Sequence, residues 1–126
     1  MLPVRSAVAR AARYGWSFTL VCVSGPIHAD RLPGLRASLR AGDSVVALSE
    51  TELVLILESA RDEEVPAILA RLAARDDLPG LSFGLVHCPG DGSDPENLIG
   101  QARLRLAEAQ ARVAIPPLRA AAAREG

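Results

Sequence analysis

Five consecutive residues, Leu53-Val-Leu-Ile-Leu57, are apolar without exception. A strand that faces water on one side alternates apolar with polar residues, so an unbroken run asks for cover on both faces. A second apolar run, Val45–Leu48, comes just before it, and the polar tetrad Ser49-Glu50-Thr51-Glu52 separates the two. Two such runs joined by a short polar step predict a β-hairpin. Its second strand should lie inside a sheet with layers above and below.

The flanking sequence supplies those layers. Pro3–Arg13 carries apolar residues at helical spacing (Val4, Val8, Ala11, Ala12), and Gly15 ends it. Ser17–Val23 reads as a strand. Asp30–Arg40 is weakly amphipathic through Leu32, Leu35 and Leu39, with Pro33 acceptable in a first turn. Asp62–Arg75 is a helix with Val65, Ile68, Leu69 and Leu72 on one side, followed by a turn at Asp77–Gly80. Leu81–Cys88 is a fourth strand. Asp94-Pro95 has the form of an N-cap followed by proline at the first helical position. The helix it opens should run to about Val113 and stop at Pro116-Pro117. The predicted order is α-β-α-β-β-α-β-α, an α/β (α+β) ferredoxin-like or nucleotidyl-cyclase-like plait with a mostly antiparallel four-stranded sheet. The two central helices cover one sheet face. The terminal helices, or a partner subunit, must cover the other. Residues 1–115 form one domain and 116–126 a flexible tail.

Composition removes several function classes. The chain has 126 residues and a net charge of −1, which offers no basic field to nucleic acid or anionic lipid. All fourteen cationic residues are arginine, so a Walker-type loop, a Schiff base and a lysine general base are excluded. No run reaches the roughly 20 apolar residues of a membrane span. Trp16–Val23 follows three arginines as a secretory signal would, but it is short and late and reads better as a core strand. Cys22 and Cys88 sit in apolar runs and are expected as free core residues of a cytoplasmic protein.

The hairpin resembles the signature hairpin of GGDEF domains, the diguanylate cyclase family, with Ser49–Leu53 (SETEL) at the five signature positions. Ala12-Arg-Tyr-Gly-Trp16 is similar to the family's entry into its first strand, and Leu81-Ser-Phe-Gly-Leu85 to its serine-x-glycine strand. Asp91–Asp94 with Glu96, Asn97, Leu98, Ala102, Ala109 and Gln110 is similar to its last loop and helix. The resemblance implies a bacterial signalling protein, and it also shows where this chain departs. The family's metal-binding aspartate after the first strand corresponds to Ser24, and its second acidic ligand to Thr51. Joining two triphosphates needs Mg²⁺ held by carboxylates, which hydroxyls do not replace. Glu52 keeps its place, while the two small glycines correspond to Ser49 and Glu50 and the lysine of the final helix to Gln110. The span from Ser24 to Asp43 is also too short for the family's two helices. The expectation is a degenerate, non-catalytic module with no metal and no cofactor.

Arg40-Ala-Gly-Asp43 has the arginine-x-x-aspartate spacing of the family's product-binding site. Arginine can donate to guanine O6 and N7, and aspartate can accept from the guanine N–H edge. Equally, Arg40 could end a helix and Asp43 start a strand. The expected function is therefore regulation through a protein partner or homodimer, with cyclic di-GMP reception by Arg40 and Asp43 as the alternative.

Other groupings carry less. Ser24, His28 and Asp30 lack a nucleophile elbow. Cys22, His28, His87 and Cys88 lack paired zinc spacing, and His87 and Cys88 should point to opposite faces. His87 reads as a strand-end histidine near solvent. Glu50, Glu52 and Glu58 read as a solvated tip. Arg103, Leu104, Arg105 and Arg112 read as a mixed solvent face with some contact potential. Leu53–Leu57 has no aromatic or basic residue on which RNA bases would stack.

Overall fold

The computed structural model describes residues 2–26, 29–58, 60–74 and 80–125. Its elements are α1 (Leu2–Tyr14), β1 (Phe18–Ser24), α2 (Leu32–Ala37), β2 (Ser44–Ala47), β3 (Glu52–Leu57), α3 (Val65–Ala73), β4 (Ser82–Cys88) and α4 (Pro95–Glu125). This is the expected order. The sheet runs β2-β3-β1-β4, and every neighbouring pair is antiparallel. Cys22 of β1 faces Val54 on one side and Gly84 on the other.

The unbroken apolar run lies where both its faces are covered. Val54 and Ile56 join Phe18, Leu20, Cys22 and Val86 against α1 and α4. Leu53, Leu55 and Leu57 join Val21, Val23 and the inner side of α2 and α3. Leu53 through Leu57 are all buried, each contributing about 1.5–3 kcal/mol of transfer free energy. The terminal helices of the chain itself supply the second layer.

Two glycines carry the geometry around α1 and α4. Gly15 takes φ 69°, and the Trp16 N–H donates to Ala11 O at 3.0 Å, so α1 ends in a Schellman turn that hands the chain to β1. At Gly84 a Cβ would fall on the carbonyl of Ala102 and the amide of Leu106. The helix backbone therefore rests directly on the strand. Asp94 caps α4 through its carboxylate, which accepts the Asn97 N–H at 2.9 Å.

Several boundaries differ from the sequence reading. Asp30–Arg40 and Asp62–Arg75 each begin with a single 3₁₀ turn, Ala29–Arg31 and Asp62–Glu64, and their α-helical parts are shorter. Proline at the start of each α segment sets φ but donates no hydrogen bond, so the tighter turn leads in. The buried stripe of α1 is Val4, Ala7 and Ala11, with Ala12 outside it. The α4 backbone continues past Pro116-Pro117 to Glu125, where alanine-rich sequence favours helix. His28 and most of the Asp77–Gly80 turn lie outside the described residues. Among the described residues, no helix is long and apolar enough to cross a membrane.

Candidate functional site

The hairpin tip is tied down on three sides. The amides of Leu48 and Ser49 donate to Glu52 O at 2.9 and 3.1 Å, closing the turn on itself. The Thr51 N–H donates to Ser49 Oγ at 3.2 Å. Gly25, just after β1, donates its N–H to Thr51 O at 3.0 Å, so the end of β1 is stapled to the tip. Ser24 pairs with Glu52 across the β1–β3 ladder and with Ser82 on β4. The sequence-derived positions Ser24, Thr51 and Glu52 are thus brought together.

What occupies the Glu52 carboxylate could not be read from local sequence. Arg103 of α4 donates Nη2–H to Glu52 Oε1 at 3.0 Å. Burial pushes the thiol of Cys22 up to about 11, with Glu52 adding to the rise and Arg103 opposing it. At Ser24, Thr51 and Glu52 the donors are then two hydroxyls and one carboxylate already paired with a guanidinium. A divalent cation takes several oxygen ligands, carboxylates foremost, and this set does not fit one. Among the described residues no group of three or more His, Cys, Asp or Glu side chains could hold a metal ion.

Arg40 and Asp43 do share one turn. The Asp43 N–H donates to Arg40 O at 3.1 Å, and the Arg40 N–H donates to Asp43 Oδ2 at 3.3 Å. The Arg40 guanidinium turns elsewhere, donating to Glu64 Oε2 at 2.9 Å. Glu64 also accepts the Arg61 N–H at 2.8 Å. That backbone bond, followed by the Arg40 bond, holds the Glu64 carboxyl below the usual range, and Glu64 in turn raises Arg40. Beside the turn is a hollow of about 310 Å³ lined by Arg36, Leu39, Asp43, Ser44 and Val45.

The contacts place three other groups named from the sequence. Arg105, partly exposed on the mixed face of α4, donates to Leu85 O at 2.8 Å and to Asp91 at 3.2 Å, locking the β4–α4 loop. Glu58 is not at the tip but at the far end of β3, in an ion pair with Arg10 of α1. His87 is at the end of β4 and partly exposed, as expected, and its Nδ1 lies 2.9 Å from Thr19 Oγ1 and 3.3 Å from Asp62 Oδ1. Cys22 and Cys88 are free and buried, as expected.

No family model matches the chain, and no curated protein matches it. Solved structures do. A sensory box/GGDEF family protein from Caulobacter crescentus superposes with a TM-score of 0.69 at 20% identity, over 86% of this chain and 88% of that one. A microbial GGDEF domain described in a novel interaction mode with cyclic di-GMP gives a TM-score of 0.70 at 21% identity, over 85% and 79%. The diguanylate cyclase SiaD from Pseudomonas aeruginosa, in complex with its activator SiaC, gives 0.68 at 16% identity, over 86% and 52%. In its fold, this chain is a GGDEF-like domain.

Proposed function

We propose that this chain is a regulatory GGDEF-like module that does not join nucleotides and works through protein–protein contact, self-association included. The observation that carries the non-catalytic part is the pairing of Glu52 with Arg103 beside hydroxyls at Ser24 and Thr51. A cyclase must neutralise charge on the reacting phosphoryl oxygens with carboxylate-held Mg²⁺, and the two positions that resemble the family's acidic ligands carry hydroxyls here. The SiaD–SiaC complex supports the contact part, being a protein of this fold held by a regulatory partner. Incubation with GTP and Mg²⁺, followed by chromatography, is expected to yield no cyclic di-GMP. A time-dependent product peak would refute the non-catalytic reading. Light scattering across a concentration series is expected to show mass rising above the monomer. A constant monomer mass would remove self-association.

A second reading, reception of cyclic di-GMP, is favoured by the turn that joins Arg40 to Asp43 and by the hollow beside it. The ligand would have to win the Arg40 guanidinium from Glu64. Calorimetric titration is expected to give heat that Arg40→Ala abolishes. A folded sample that gives none removes this reading.

A further inference from the structure

The end of the sheet opposite the hairpin tip carries a feature that neither reading uses. The chain has four aromatic side chains, one of them its only tryptophan. Phe18 is buried, whereas Tyr14 and Trp16 are 55% and 49% exposed and sit against each other with ring centroids 4.9 Å apart. The backbone under Trp16 is held by the Schellman turn, so the indole stands on a fixed base rather than on a loose loop. Beside it opens a hollow of about 540 Å³, lined by Trp16, Ser17, Gly42, Glu58, Ala60 and Arg61.

Charge at this place is unbalanced. Glu58 is engaged by Arg10. Arg61 has no carboxylate within ion-pair distance among the described residues, and its charge is felt by Glu64. Arg13 lies over the Tyr14 ring, its Cζ 5.7 Å from the centroid, likewise without an ion pair among the described residues. An exposed indole attracts a flat ring, and a guanidinium takes phosphate through two parallel hydrogen bonds. The hollow falls in the size range of small-molecule sites and exceeds what a lone ring would fill.

We propose that this hollow binds a nucleotide, its base stacked on Trp16 and its phosphate on Arg61. Gly42 of the Arg40–Asp43 turn borders the hollow, but the Arg40 and Asp43 side chains are not among its lining groups. The site is therefore separable from the cyclic di-GMP reading.

Because Trp16 is the only tryptophan, its fluorescence reports on the surroundings of this one side chain, and the Arg61 variant assigns the signal to this hollow rather than to the one Trp16 shares with Val8 and Pro89. The experiment titrates the full chain with adenosine monophosphate and guanosine monophosphate, with adenosine and inorganic phosphate as partial probes. Saturable quenching is expected from the monophosphates, and weaker effects from either half. Arg61→Ala removes the charged partner and is expected to weaken binding about tenfold. Arg40→Ala should leave it unchanged. Arg61 is exposed and its backbone N–H still donates to the Glu64 carboxylate after truncation, so circular dichroism should show the variant folded. Three results would overturn the proposal: no saturation by either monophosphate, an Arg61→Ala titration matching the parent, or loss of quenching in Arg40→Ala.

Discussion

Single side chains at the β4–α4 loop show how polar contacts hold this fold. Asp91 accepts the His87 N–H at 2.8 Å and is gripped by Arg105, and these bonds hold its carboxyl below the ordinary 3.8. A carboxyl depressed by folding contributes stability that is present above its unfolded pKa and is lost as pH falls through the folded one. Urea midpoints are thus expected to fall on acidification below about pH 4. Asp91→Asn should flatten that fall, though not remove it, because Glu64 and Glu96 are depressed in the same direction. An unchanged pH profile in the variant would contradict the assignment. Asp91 and Arg105 are 14 residues apart in different elements, as Arg103 and Glu52 are 51 apart. No periodicity or motif connects residues at such separations. That is why sequence reading gave both arginines a mixed solvent face without naming their partners, whereas the family resemblance did bring Ser24, Thr51 and Glu52 to one place.

The elements themselves were more legible, because burial leaves a mark on every residue of a strand or helix face. The run Leu53–Leu57 announced two covered faces, and the Asp94-Pro95 pair marked the start of α4 to the residue. Helix starts were less visible, since a 3₁₀ turn and an α-turn share the same polar, acidic composition. The glycine of the serine-x-glycine strand has a physical explanation in the contact with α4. Alanine is normally the better residue in a strand interior, by about 0.5–1 kcal/mol. Gly84→Ala is nonetheless expected to destabilise, by about 1–3 kcal/mol as overpacking against the helix backbone, and urea unfolding measures it directly. A neutral or stabilised variant would mean that α4 can lift without cost.

On the scale of the whole molecule, the two cores share one sheet and so should share one fate. Leu55 and Ile56 are adjacent in β3 but feed opposite cores. Leu55→Ala and Ile56→Ala are each expected to cost about 2–5 kcal/mol. In both variants the far-UV signal and Trp16 fluorescence should change in one coincident transition. Separate transitions would show that the layers unfold independently.

The strand order also bears on how the chain comes into being. β1 is the first strand made, yet its two neighbours in the sheet are β3 and β4, the third and fourth. During synthesis its edges stay unsatisfied until residues as far along as Cys88 leave the ribosome. Pairings between such distant stretches are slow to form, and an exposed early strand is where nascent chains stick to one another.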